Sequence, residues 1–470
     1  METSVKLGIV IASSLFTTVA TSQENLPLGS IGQTDLQQRM GNAVQTVCMG
    51  FLGSSRAPTS PQQLDLFSRC GEMVHTANRI LGSVNAPTSK DLGVNKATLA
   101  SYLQQVAGEE AAAQSNVVTE AMMGQSVVVA DRLSSFMNTM SGIARVNHNY
   151  TGGSQDFNAL GIGASSDALI QNQRWGVFGS LKSGMGDKDT TDREDGFELD
   201  DYQVLVGVDY IFNDHFVGGI AYGYRDVDAD YDVSQRVPGA QMDVSTDTFT
   251  LYSLYQRDEF YFSTVLDIGS SEFDSSRNVQ IISSVTDNSG APDRILRSST
   301  ESTQYALSLE AGYQLVNDNR IISPYFKVRY LDMEIDEFAE QDSSETSTGG
   351  GGLALAYQEQ NVESLKTALG GQISWTLNRD FGVLTPYLMA EWLYEHEDES
   401  RAITAQYVYD PQNNLIEFIT DEPDSNYFNL GAGVSVVFPN GIQAFVDANT
   451  TVGLEDFTYT NFTAGVRMAF

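Results

Sequence analysis

The stretch that decides the fold is Tyr459-Thr-Asn-Phe-Thr-Ala-Gly-Val-Arg-Met-Ala-Phe470. Taken by twos from its end, Phe470, Met468, Val466, Ala464 and Phe462 make a mostly apolar row, while Ala469, Arg467, Gly465, Thr463 and Asn461 make a small, polar one. A period of two puts these rows on opposite faces of a strand. An apolar row sustained to the last residue predicts lipid on that side, because a terminus fraying in water gains little from burial.

The same texture runs back to Arg174. Alternating, aromatic-rich segments predict twelve strands, at about 174–184, 199–213, 215–229, 243–257, 259–273, 301–316, 320–336, 360–377, 381–397, 425–438, 441–452 and 459–470. Short turns (Asn213-Asp214, Arg257-Asp258, Asn317 to Asn319, Asn378 to Asp380, Pro439-Asn440) alternate with long polar loops such as Met185 to Glu198, Ser275 to Thr300 and Ala339 to Glu359. Tight turns on one rim and long loops on the other predict a closed antiparallel barrel in an outer membrane, with the tight turns toward the periplasm. No apolar run after the first twenty residues is long enough for a membrane helix. A chain that spans lipid without helices must close its sheet.

Parity assigns the sides. Tyr202, Val204, Val206, Val208, Tyr210 and Phe212 fall on the lipid face, which turns Gln203, Gly207 and Asp209 inward. By the same count Glu310, Lys327, Arg329, Glu391, Asp447 and Arg467 line the lumen. Small and charged side chains there leave room and hydrogen-bonding partners for something running through the barrel. A repeat accompanies the parity: Gly207-Val-Asp-Tyr-Ile-Phe212, Gly433-Val-Ser-Val-Val-Phe438 and Gly465-Val-Arg-Met-Ala-Phe470, with looser versions at Gly312 and Gly371. Two strands of the opposite direction share Ile322-Ser-Pro-Tyr-Phe326 and Leu384-Thr-Pro-Tyr-Leu388. One hairpin is being used repeatedly.

Ahead of residue 174 the period changes. Met1 to Ala20 read as a secretory leader, with Lys6, the apolar Leu7 to Phe16 and Thr18-Val19-Ala20 before a cut. Leu36, Met40, Val44, Val47 and Cys48 predict one amphipathic helix, and Leu64, Phe67, Cys70, Val74 and Leu81 a second. Cys48 and Cys70 are the only cysteines. In an oxidising compartment they are expected to staple the two helices together, the alternative being two buried thiols. A third helical region begins near Ala97 and extends past Glu109 to about Val146, with a stripe at Val129, Leu133, Phe136, Met140 and Ile143. The Gly/Ser/Asn-rich Asn147 to Asn172 follows.

The formal net charge is −35. Residues 21–173 hold 8 Lys and Arg against 11 Asp and Glu, whereas residues 174–470 hold 17 against 49, so the acidity belongs to the strands and their loops. Such a surface excludes nucleic acid as a partner. It fits a solvated face or one bridged by divalent cations. No Gly-x-Ser-x-Gly elbow, phosphate loop or dinucleotide fingerprint occurs. His396-Glu397 begins like a zinc-protease helix, but Ser400 stands where the second His is required. Asp226-Val-Asp-Ala-Asp-Tyr-Asp232 invites a calcium reading, yet Tyr231 and Val237 occupy the positions that an EF-hand loop gives to Gly and Glu. No catalytic residue, metal ligand or cofactor is expected.

These features together resemble an autotransporter. The leader, an exported amino-terminal segment, a helix just before Arg174-Trp-Gly-Val-Phe-Gly179 and twelve strands ending in Phe470 carry the likeness, over roughly residues 115–470. The terminal row Phe462, Ala464, Val466, Met468 and Phe470 also resembles the carboxyl-terminal signal of bacterial outer-membrane barrels, which implies the barrel-assembly machinery as a partner. The family resemblance implies that Val117 to about Val146 threads the lumen and that residues 21–110 form a passenger at the cell surface. Two departures stand out: the passenger is short and helical where the family commonly exports a long β-helix, and the linker Asn147 to Asn172 is long. No self-cleavage site is carried over to Asn138.

The expectation is therefore a mainly β chain: a twelve-stranded antiparallel transmembrane β-barrel at 174–470, a linker with the lumen helix at 111–173, a disulfide-stapled helical passenger at 21–110 and a leader at 1–20. Its work would be export and anchoring, without catalysis. The competing readings are a porin-like channel with a periplasmic helical domain, a surface adhesin, and an enzyme such as an esterase carried on the barrel.

Overall fold

The computed structural model describes residues 27–52, 57–84, 88–108, 111, 114, 129, 174–231, 240–283 and 293–470. Three helices come first: α1 (Asp35–Gly50), α2 (Pro61–Ile80) and α3 (Lys96–Gln105). Each starts where a side chain can accept from an otherwise unpaired amide. Thr34 and Gln37 form a reciprocal capping box on α1, Ser60 caps α2 ahead of Pro61, and Asn95 caps α3. Among the described residues no helix is long and apolar enough to cross a membrane.

Twelve long strands follow. They are β1 (Trp175–Lys188), β2 (Phe197–Asn213), β3 (Phe216–Tyr231), β4 (Gln241–Arg257), β5 (Phe260–Gln280) and β6 (Asp293–Tyr313), then β7 (Arg320–Ile335), β8 (Gln360–Trp375), β9 (Gly382–Glu395), β10 (Asn426–Val437), β11 (Ile442–Val452) and β12 (Phe457–Ala469). Every strand pairs antiparallel with its sequence neighbours, and β1 pairs with β12 from Gly176 opposite Ala469 to Lys188 opposite Phe457. The seam ends in two backbone bonds, Phe470 N to Trp175 O at 2.9 Å and Trp175 N to Phe470 O at 3.3 Å. The sheet is a closed barrel. Asp258 and Asp318 take positive φ in two of the short turns, a conformation that Asp tolerates through local hydrogen bonding.

The outer wall shows where lipid ends. Rising along β2 the outward side chains run Val206, Val204, Tyr202, Asp200; along β4 they run Leu251, Phe249, Asp247; along β7 they run Phe326, Val328, Tyr330, Asp332. Each row passes from apolar side chains through an aromatic to a carboxylate, as a membrane boundary requires. Asp200, Asp228, Asp243 and Asp274 then lie side by side across four strands. Asp226, Asp228 and Asp230, which suggested calcium, belong to this solvated zone, and no metal-holding group of His, Cys, Asp or Glu occurs among the described residues.

Three expectations need correction. The Ser275 to Thr300 loop is mostly strand, because β5 and β6 are 21 residues each and pair as far as Gln280 opposite Asp293. Membrane crossing needs only about ten residues, so the rest projects beyond the apolar band. The Ala339 to Glu359 loop is not merely polar: Phe338–Ala339 and Leu355–Tyr357 join Ala402–Tyr407 and Ile416–Ile419 in a four-stranded sheet, whose Leu355, Ile403, Tyr407 and Phe418 are buried. On α2 the buried stripe is Leu66, Cys70, Met73 and Ala77, whereas Leu64 and Leu81 are exposed. Two apolar stripes share Cys70, and the side that meets the neighbouring elements is the one that is covered.

Inside the barrel an aromatic side chain lies over a glycine in every strand pair connected on the long-loop rim. Phe178 faces Gly207, Tyr252 faces Gly219, and Tyr261 faces Gly312. Tyr325 faces Gly370, Tyr387 faces Gly433, and Phe445 faces Gly465. A Cβ on any of these glycines would come within 2.3–2.6 Å of the opposing ring. Gly370 rather than Gly371 is the partner on β8, since a Cβ at Gly371 meets nothing nearer than 4.0 Å. A ring laid on a glycine covers its backbone and fixes register. Overpacking such a contact costs about 1–3 kcal/mol. Gly465→Ala is thus expected to lower urea resistance, read by unheated gel mobility in detergent. Gly179→Ala, whose Cβ would meet nothing nearer than 3.7 Å, should change it by less than about 0.5 kcal/mol.

Candidate functional site

Two regions carry the chemistry of this molecule: the barrel interior and the long-loop rim. In the interior, Lys327 lies 2.6 Å from Glu391 and 3.0 Å from Glu310, and Arg329 is 3.6 Å from Glu391. The Tyr325 and Tyr261 hydroxyls donate to Glu391 at 3.0 Å and Glu310 at 2.8 Å. Lower on the wall Arg467 pairs with Asp209 at 2.7 Å. Asp447 accepts from Asn449 at 3.0 Å. So Asp209, Glu310, Lys327, Arg329, Glu391, Asp447 and Arg467 all project inward, and most are buried. Opposite charges lie side by side in the Lys327 and Arg467 clusters, which offsets the cost of burying them. Phe462, Ala464, Val466, Met468 and Phe470 are exposed on the outer wall beside the seam.

The barrel interior is not left to its own wall. Val129 is fully buried among Phe178, Leu205, Ile211, Val217 and Tyr252, side chains of the short-turn half. Gln114, by contrast, accepts from Gln360 at 3.4 Å near the long-loop end. The remainder of Val117 to Val146, expected as the lumen helix, lies outside the described residues, as do Asn138 and Asn147 to Asn172.

Above the barrel, α1, α2 and α3 sit on the long-loop rim. Cys48 on α1 and Cys70 on α2 form a disulfide. Stapling a loop of this size contributes about 3 kcal/mol. One hydrophobic core includes Met40, Val47, Leu66 and Leu103 of the helices together with Val279, Leu296, Leu355, Ile403, Tyr407 and Phe418 of the strand extensions and loops. Polar bonds stitch the same surfaces. Arg277 on the β5 extension donates to the carbonyls of Gln105 at 2.8 Å and Ala107 at 3.0 Å, capping the end of α3, while Glu340 grips its guanidinium at 2.6 and 2.8 Å. Tyr102 donates to Ile282 O at 2.8 Å and accepts from Ile282 N at 3.0 Å. Arg294 on β6 makes a two-pronged pair with Asp65 on α2, at 2.7 and 2.8 Å, and Gly352 N donates to the same carboxylate at 3.0 Å.

Burial would raise the Asp65 pKa, but the hydrogen bonds and charge of Arg294 outweigh it and hold this carboxyl below its ordinary value. Glu72, two turns along α2, is shifted the other way: burial pushes it up despite Arg69 at 2.7 Å. This docking surface was missed from the sequence because the loops read as polar. The signal that could have found it is the apolar run Leu353-Ala-Leu-Ala-Tyr357 and the alternation of Ile403, Ala405 and Tyr407.

A closed antiparallel barrel with a lipid-facing wall, a charged interior and chain buried inside it defines an outer-membrane translocator domain. The family model described as "Autotransporter beta-domain" matches residues 177–449. The chain belongs to the autotransporter family, and its barrel is an outer-membrane protein. Among solved structures it is similar to the translocator domain of the autotransporter NalP from Neisseria meningitidis, at 15% identity and a TM-score of 0.48, covering 65% of this chain and 92% of that one. It is also similar to the beta domain of the Bordetella autotransporter BrkA, at 16% identity and a TM-score of 0.42, covering 63% and 100%. No curated protein matches the sequence.

Two predictions follow from the charges. Glu391→Leu leaves Lys327 and Arg329 short of a buried counter-charge and should cost about 3–5 kcal/mol of barrel stability in urea, part of which Lys327→Met in the same chain should restore. Because Asp65 is held low, its contribution to docking is complete above the ordinary carboxylate range and is lost as pH falls through its depressed value. Asp65→Asn should therefore loosen the helices at neutral pH and remove that acid dependence, measured as the rate of trypsin cleavage within residues 27–108 at neutral pH after pulses at stepwise lower pH.

Proposed function

We propose that the barrel carries residues 21–110 through the outer membrane and holds them at the cell surface, with no chemistry of its own. The observation that carries this reading is the position of the helices: they are seated on the long-loop rim, while Val129, twenty-one residues beyond Gly108, is buried near the opposite end of the lumen. Long loops are the outward face of outer-membrane barrels, so a segment that begins in the periplasm and ends on that rim has crossed. The part from about Val117 to Val146 then stays behind as the plug. In this reading the acidic rows above the aromatic residues face the medium, the outer wall meets lipid, and the row ending in Phe470 is what the barrel-assembly machinery engages. The porin-like alternative needs the helices on the short-turn side, which the docking contacts do not favour.

An epitope inserted after Ser83, in the exposed turn that follows α2, tests the reading. Antibody should bind intact cells, and externally added proteinase K should remove the signal. A signal that appears only after the outer membrane is permeabilised would refute export.

A further inference from the structure

The contacts on the rim say more than that the helices rest there. Of the 32 described residues buried in their common core, 20 come from the amino-terminal segment and 12 from β5, β6 and the rim loops. A segment of about eighty residues is already near the lower limit for an independent core, and without the rim more than a third of the common core would be gone. The weakest helix shows the dependence most directly. α3 is only 10 residues long and has no basic residue in its last turn. Helices of that length are marginal alone, and the carbonyls at its end are satisfied by Arg277 of β5. Gln105 takes a bond from Gln280 N at 2.8 Å, and Tyr102 is held at both ends of its hydroxyl by Ile282. On α2, Gly352 lies so close that a Cβ there would be 2.4 Å from Leu66 N.

We propose that the long-loop rim is a folding platform for the helical segment: its apolar loop sheet and the Arg277 and Arg294 pairs complete a core that the segment does not form by itself. The inference rests on the export reading only for the side of the membrane on which the segment docks. Docked there, the segment stays on the barrel as a cap whose core is closed by rim side chains.

The test uses the full-length protein in detergent, carrying the epitope after Ser83. One variant, Ile403→Asp with Phe418→Asp, spoils the apolar platform. A second, Arg277→Gln with Glu340→Gln, removes the α3 cap without leaving a lone buried charge. Trypsin cleavage at Arg39, Arg69, Arg79 and Lys90 is followed beside unheated gel mobility, which reports the barrel. Both variants are expected to be cut within residues 27–108 at least tenfold faster than wild type while barrel mobility is unchanged. Trypsin resistance equal to wild type in both overturns the platform. If the first variant fails to assemble, the second decides. Loss of barrel mobility in both would also overturn it, because the rim would then serve the barrel and not the segment. Antibody binding to intact cells separates this outcome from the export reading: an absent surface signal in wild type removes export, while cleavage of the purified protein still judges the platform.

Discussion

The closing pair, Trp175–Lys188 against Phe457–Ala469, is the contact on which everything else depends. In lipid an unpaired backbone amide has no water to turn to. A sheet of twelve strands left open would expose two such edges. Closure removes both, and it also fixes the lumen width and the ring of side chains pointing into it. Six aromatic-on-glycine contacts, one in each pair of strands connected on the long-loop rim, set the register around the circle. With parity locked in this way, a slip of one residue in any strand would turn its whole lipid row inward.

The interior and the rim answer different physical needs. The interior must offset the charges it buries, and the Lys327, Arg329, Glu310 and Glu391 cluster does so with two of each sign. The rim must grip. It does so with apolar side chains that an exposed loop would not retain for its own sake, and with arginines that reach from β5 and β6 to backbone carbonyls and a carboxylate of the helices. Extending β5 and β6 well past the apolar band supplies a rigid base for both.

Acidity is distributed by the same geometry. On β2, β4 and β7 carboxylates begin just beyond the aromatic residues of the outer row, so the charge marks the start of water and does not gather into a cation site among the described residues. Four aspartates abreast on β2 to β5 repel one another. Such a row is tolerable only where solvent and salt screen it.

Much of this was legible in the chain itself. A period of two, turn residues at short intervals and an apolar row carried to Phe470 determine a lipid-facing antiparallel sheet, since alternation is a local property of strand geometry. The inward positions of Lys327, Glu391 and Arg467 follow from the same parity, and the pairing of Cys48 with Cys70 from there being only two. Both halves of the glycine and tyrosine repeat were visible too. That they meet, with Gly370 rather than Gly371 under Tyr325, was decided only by register between strands. The docking rim was likewise decided by tertiary structure: whether Leu355, Ile403 or Leu66 is covered depends on residues far away in sequence. Burial is a relation between distant segments, which a pattern within one segment does not contain.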